Sequence, residues 1–194
     1  MKKIKIISLL KIFPIFLLLI STSTVLSQSL SKLDSNNGFR GIKFGMSPKQ
    51  FSTLEEVKTS IILKDVTGYS YRPAKKEYLQ GVPIEEIRLS FFKNKLYYIS
   101  LSLGGIYDKY TDSQFKMVQD ALISAFGNKY VDITSDIQDA VNYVVWDGNN
   151  VRCDHVRLNL YEDDGSRSPD YNYISGYVSF VYKPSQEEQK QSEF

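Results

Sequence analysis

The sequence predicts an α+β fold: an antiparallel sheet with two short-to-medium helices packed on one side. Two observations carry this reading. Capping boxes at Ser47-Pro48-Lys49-Gln50 and Thr111-Asp112-Ser113-Gln114 start helices, and after each box apolar residues alternate with polar ones in strand-length runs. The order is therefore helix then strands, twice over, which suggests two halves joined in one sheet.

The first helix is expected over Pro48–Glu55, with Pro at its first position and Met46 and Phe51 placed for a hydrophobic staple. Ahead of it, Gly38 to Gly45 mixes small and apolar residues as an extended segment would. Val57, Thr59, Ile61 and Leu63 share one parity and read as a strand, which Tyr69 and Tyr71 continue beyond a turn near Asp65–Gly68. A hairpin follows. Ile87, Leu89 and Phe91 alternate with Glu86, Arg88 and Ser90, Lys93-Asn94-Lys95 turns, and Tyr97, Ile99, Leu101 and Leu103 alternate with Tyr98, Ser100 and Ser102.

In the second helix Phe115, Val118, Leu122, Ala125 and Phe126 recur at helical spacing, and Gly127 supplies the stop. Strands are expected over Tyr130–Ile133, Ala140–Trp146, Val151–Tyr161 and Tyr171–Tyr182. Asp147-Gly148-Asn149-Asn150 and Glu162-Asp163-Asp164-Gly165 form the turns between them. Val151 and Cys153 are odd whereas Val156, Leu158 and Leu160 are even, so a bulge at Asp154-His155 is expected.

The N-terminus reads as a secretory signal peptide over residues 1–27. Lys2, Lys3 and Lys5 form a positive start, Ile12 to Ile20 is apolar apart from Pro14, and Val25 and Ser27 are the small-residue positions before a cleavage at Gln28. The apolar stretch is short for a span, which needs about 20 residues. Residues 28–37 are expected to be a flexible leader, 38–185 a single domain, and 186–194 a disordered tail. With Lys2, Lys3, Lys5 and Lys11 removed, the chain's net charge of +2 becomes −2, so no basic tract points to nucleic acid. The lone cysteine excludes an internal disulfide and a Cys-cluster zinc site, and the lone histidine excludes an HExxH-type metal site. No motif implies a cofactor. With no cysteine near the cleavage site there is no lipoprotein acceptor, and the expected location is the periplasm or the exterior.

At Gly41-Ile42-Lys43-Phe44-Gly45-Met46-Ser47 the chain resembles a group of small exported bacterial proteins that open with a Gly-x-x-x-Gly-Met/Thr-Ser stretch before a short helix. It is similar to them again at Tyr78–Leu103, where a turn at Gly81 leads into a Phe–Lys–Leu hairpin, and at Ala125-Phe126-Gly127-Asn128-Lys129-Tyr130. More distantly it resembles the small outer-membrane lipoprotein A family and the β-lactamase-inhibitor-protein-like fold. That resemblance implies helices on an antiparallel sheet and a role in binding proteins. It brings no functional residue with it.

Candidate chemistry is thin. Cys153 and His155 are spaced for one face of a regular strand and invite comparison with a nucleophilic pair, which the expected bulge would disrupt. Glu162, Asp163, Asp164, Ser166 and Asp170 offer oxygens without any EF-hand spacing. Glu85, Glu86, Asp132, Asp136 and Asp139 give carboxylates with nothing to select a pair. Trp146, at a strand end, reads as a core plug. The 14 tyrosines say more, with Tyr69, Tyr71, Tyr98, Tyr143, Tyr173 and Tyr177 on the polar-parity positions of strands. A rigid ring with a hydroxyl suits recognition at low entropic cost. The expectation is an exported, non-catalytic binding module whose partner is an envelope or extracellular protein. The alternatives are a small exported hydrolase and a glycan- or lipid-binding protein.

Overall fold

The computed structural model describes residues 30–57, 63–104, 109–160 and 173–192. Residues 30–36 form α1. Then come β1 (Gly38–Phe39), β2 (Ile42–Lys43), a 3₁₀ turn (Pro48–Gln50), β3 (Leu54–Val57), β4 (Val66–Tyr71), β5 (Tyr78–Leu79), β6 (Val82–Phe92) and β7 (Lys95–Leu103). The second half contains α2 (Asp112–Phe126), β8 (Val131–Asp132), β9 (Ala140–Asp147), β10 (Val151–Leu160), β11 (Tyr173–Tyr182) and α3 (Lys183–Gln191).

The main sheet is antiparallel, in the order β3-β4-β6-β7-β11-β10-β9-β8, with β5 added beside β6. Each half is thus a meander in chain order, and the two meet through their last strands. The α+β reading stands, and the two halves are related by this strand order.

The best-read elements share strong local chemistry. In α2 the Gln114 N–H donates to Thr111 Oγ1 at 3.2 Å and the Thr111 N–H donates to Gln114 Oε1 at 2.9 Å, closing both sides of the capping box. Phe115, Val118, Leu122 and Phe126 are its buried stripe. The β6–β7 turn is two residues long, Lys93 and Asn94, with φ of 48° and 62°, the left-handed pair that matches strand twist. A bulge after Ser90 sets Phe91 opposite Leu96, so Leu96 takes the core position that alternation assigned to Tyr97.

Several expectations need correction. The helix over Pro48–Glu55 is a single 3₁₀ turn, because Leu54–Val57 pairs with β4 and Thr53 Oγ1 donates to Arg72 O at 2.6 Å, drawing the chain into the sheet. Gly68 lies inside β4, and the turn sits before it at residues 64–65. Most of the strand expected over Val57–Leu63 lies outside the described residues, as does the acidic turn at 162–165. The bulge at Asp154-His155 is absent: pairing there is regular, and the irregularity falls between Arg157 and Leu158. The parity change arises because β10 buries residues on both faces, Cys153 and His155 inward and Val156 outward.

The leader and tail are also more ordered than expected. Leu33 of α1 is 1% exposed within the core cluster. Asp34 Oδ1 accepts the N–H groups of Asn150 and Val151 at 2.8 Å each, and Oδ2 accepts that of Asn149 at 2.9 Å. The carboxylate so fills the β9–β10 turn that a Cβ at Gly148 would lie 2.6 Å from Asp34 Oδ1. In α3, Pro184 fits the first turn, Glu188 pairs with Lys93 at 2.7 Å and Gln189 is buried. This helix meets β7 and β11 at the end of the sheet where Phe92, Tyr97 and Val181 are buried. No helix among the described residues is long and apolar enough to cross a membrane.

Asp34→Ala should lower unfolding free energy by about 1–3 kcal/mol, since it strands three donors, one of them part-buried. Gly148→Ala should also destabilise, and the pair should be non-additive because both act on one contact. Urea unfolding of the two single variants and the double variant measures this coupling.

Candidate functional site: the polar face of the sheet

The strand registers divide the tyrosines between two faces. Inward lie Leu89, Ile99, Val178, His155 and Val144, under α1 and α2. Tyr69 pairs across the strands with Leu89 and Tyr71 with Ile87, so both share that inward side. Tyr69 sets its ring edge-on to Phe91 at 5.5 Å, and Phe51 packs edge-on to Tyr71 at 5.6 Å. These two serve as partly buried core residues.

Tyr98, Tyr143 and Tyr177 occupy the opposite face, each half-buried. Tyr173 is described only as the first residue of β11, opposite Leu160. Tyr177 and Tyr143 both lie opposite Val156, one from each side, and Tyr98 lies opposite Val181. Between the row of Tyr98 and the row of Tyr177 runs another, Arg88–Ser100–Ser179–Asp154, one residue per strand across β6, β7, β11 and β10. Three strand spacings make it about 14 Å long. Ser100 and Ser179 are each 9% exposed, so this row is a polar floor largely covered by its neighbours, with Tyr98 and Tyr177 in the rows on either side.

The charges of this face are internally paired. Arg88 Nε donates to Glu86 Oε2 at 2.8 Å, and the guanidinium feels the nearby Tyr98 and Tyr177. Asp154 is only 5% exposed; its Oδ1 accepts from Arg152 Nε at 2.9 Å and Nη2 at 2.7 Å, and from the Tyr143 hydroxyl at 3.2 Å. Burial, reinforced by the Asp154 charge, raises the Tyr143 pKa. A face built this way offers ring area, hydroxyls and oriented donors without a net field.

The other candidates sit elsewhere. Cys153 and His155 do share one face, the inner one, and both are fully buried. Burial pushes the Cys153 thiol well up and the His155 pKa down to about 3, opposite to what a thiolate–imidazolium pair requires. Phe115 stacks on His155 at 4.0 Å, and the Tyr110 hydroxyl meets His155 Nε2 at 2.9 Å. Trp146 is the core plug expected, 0% exposed, donating Nε1–H to Gly127 O at 2.7 Å.

Glu85 and Glu86 lie on β6, four strands from β9, or about 19 Å, which exceeds the reach of a glycosidase pair with Asp132, Asp136 or Asp139. Asp132 is engaged by the Thr134 hydroxyl at 2.6 Å. A cleft of about 480 Å³ beside the β4–β5 connection is lined by Ser70, Arg72, Lys75, Lys76, Glu85 and Glu86. Two of its cations are paired, Arg72 with Glu55 at 2.9 Å and Lys76 with Glu85 at 3.4 Å. Among the described residues no three His, Cys, Asp or Glu side chains gather to hold a metal.

Sequence alternation missed the floor, because Ser100, Ser179 and Asp154 become a row only once β7 pairs with β11. No protein-family model, no curated protein and no solved structure matches this chain.

The buried imidazole generates a pH prediction. Unfolded His155 takes up a proton near pH 6.5, whereas in the fold it stays neutral down to about 3. Protonation therefore favours the unfolded state: the effect is absent above pH 6.5, grows as pH falls through that value, and is complete below about 3. Between pH 7.5 and 5.5 stability should drop by about 1.4 kcal/mol. The chain has one histidine, so His155→Phe should flatten that window in urea-unfolding titrations. An equally flat wild type would contradict the reading.

Proposed function

We propose that this chain is an exported, non-catalytic binding module that holds an envelope or extracellular protein on the polar face of its sheet. The observation that carries the reading is the gathering of Tyr98, Tyr143 and Tyr177 with Arg88 on the side away from α1 and α2. Tyrosine and arginine dominate interface hot spots because they combine large rigid area with directional polar groups.

The sheet edges support docking on the face rather than strand addition. The edge strand β3 is four residues long and exposes Glu55 and Glu56. At the other edge β8 pairs with Val144 and Val145, and Tyr143 is closed off by bonds from Ile133 N–H to its O at 2.9 Å and from its N–H to Thr134 Oγ1 at 2.8 Å. Short, charged or capped edges resist pairing with another chain. The leader-like residues 1–27 and the resemblance to the small outer-membrane lipoprotein A family favour an envelope setting.

Cross-linked envelope fractions from cells producing the tagged chain test this. A discrete partner should be recovered with wild type and with Tyr78→Ala, which alters a tyrosine 48% exposed on β5, and should fall at least tenfold with Tyr98→Ala/Tyr177→Ala. Because Arg88 and Arg152 are already paired, raising salt from about 50 to 300 mM should change recovery by less than about threefold. Equal recovery with the double variant, folded by circular dichroism, would overturn the assignment to this face, and the absence of any partner would overturn the function.

A further inference from the structure

One end of the tyrosine face lies under α3. Val181 of β11 stands opposite Tyr98 of β7, and Phe92 follows Tyr98's other neighbour, Ser90, by two residues along β6. Both therefore point to the same side of the sheet as Tyr98. Tyr97 is the extra residue of the β7 bulge and sets its ring edge-on to Phe92 at 6.4 Å. The three make an apolar group continuous with Tyr98, and all three are buried where α3 packs against β7 and β11.

The cover does not match what it covers. Lys183–Gln191 carries no apolar side chain apart from Pro184, and its nine residues fall short of the ~12–15 that an isolated helix needs in water. α3 is thus helical because it is docked. Its root is tied at the β9–β10 turn, where the Lys183 N–H donates to Asn150 O at 2.9 Å and Lys183 Nζ to Asp147 Oδ1 at 3.0 Å. Beyond that root it is held by Gln189, which is buried, and by Glu188, paired with Lys93 at 2.7 Å. Both partners of that pair are at least half exposed, and an exposed pair holds a helix only weakly. An element held this way opens by local unfolding well before the central strands do.

We propose that α3 is a displaceable cover: it occupies the apolar end of the face and must leave before a bound protein can set an apolar side chain against Phe92, Tyr97 and Val181. This inference rests on the reading of the face as a binding surface and adds its regulation. A polar helix loses little on leaving, since its Lys, Gln and Glu side chains return to water, whereas an apolar group in its place keeps the three residues dry. The cover thus selects a partner with an apolar anchor over a purely polar one.

Two forms of the tagged chain carrying Lys93→Cys and Glu188→Cys test this. In one the new cysteines are joined by a short bismaleimide, which pins α3; in the other each is capped with N-ethylmaleimide, which leaves it free to move. Cys153 is fully buried and stays unreacted in the fold. In hydrogen exchange the α3 amides of the capped form should exchange at least about a hundredfold faster than those of β7 and β11, and pinning should slow them at least about tenfold. Recovery of a partner from envelope extract should be at least about fivefold greater with the capped form than with the pinned one, wild type falling between them. Capped-form α3 amides as slow as those of β7 and β11 would overturn the inference, whatever the face binds. Equal recovery by the two forms would overturn it while leaving the binding reading intact. No partner with either form would overturn the binding reading and this inference together.

Discussion

The antiparallel pairing of β7 with β11 is the contact on which the rest of the molecule depends. It joins the last strand of each meander, setting Leu101 opposite Val178 and Ile99 opposite Phe180 on one face and Ser100 opposite Ser179 on the other. Without it there are two four-strand meanders, each with an apolar strand exposed at its edge. With it, both apolar strands become central and the edges pass to β3 and β8, which are short. Gly176 is part of the same device: a Cβ there would lie 2.2 Å from the Tyr110 ring, so only glycine lets Tyr110 pack where β11 meets β7 and β10. The partners lie about 80 residues apart in the chain, and closing so long a loop is slow compared with forming the local hairpins.

The same pairing separates what could react from what could bind. The groups with nucleophilic or basic chemistry, Cys153 and His155, project into the core under α2, where Phe115 covers the imidazole and Tyr110 holds Nε2. Desolvation then favours the neutral thiol and the neutral imidazole, so the two make a polar inclusion in the core and not a reactive pair. Arg157 of β10 stays on the helix side, paired with Asp112 of α2 at 3.0 Å, while Arg88, Arg152 and Asp154 fall on the other face, where charges cancel locally. Arg88 has Glu86, and Arg152 has Asp154.

The legible parts of the fold were those whose cause is local. α2 was readable because its cap, apolar stripe and glycine stop lie within one segment, and the β6–β7 hairpin because alternation and a two-residue turn suffice. α1 was not, since its Asp34 is held by backbone N–H groups of a turn more than 110 residues away. Nor was α3: Lys183–Gln191 has no apolar stripe, and it is held by the Glu188–Lys93 pair and by buried Gln189. Reading Pro48–Glu55 as a helix hid β3, and with it the reason Tyr69 and Tyr71 turn inward: β4 is sandwiched between β3 and β6, and their parity matches Leu89 and Ile87. For the candidate site the sequence picked out Tyr98, Tyr143 and Tyr177 but not the floor between them, because no local pattern says that Ser100 will meet Ser179.

On the proposed binding role, the pairing of charges decides how the face would discriminate. With its charges paired, the face has little long-range steering to offer, so selectivity has to come from fit at contact distance. Ser100 has Tyr98 and Ser102 on either side of it along β7, and Ser179 has Tyr177 and Val181 on either side along β11. The serine row is therefore a property of the backbone register of the central strands. In that binding role, selectivity would come from the shape of the surrounding tyrosine-bearing rows. The structure thus combines a reactive-looking pair made inert by burial with an unremarkable run of serines made distinctive by pairing, and both outcomes follow from the contact between β7 and β11.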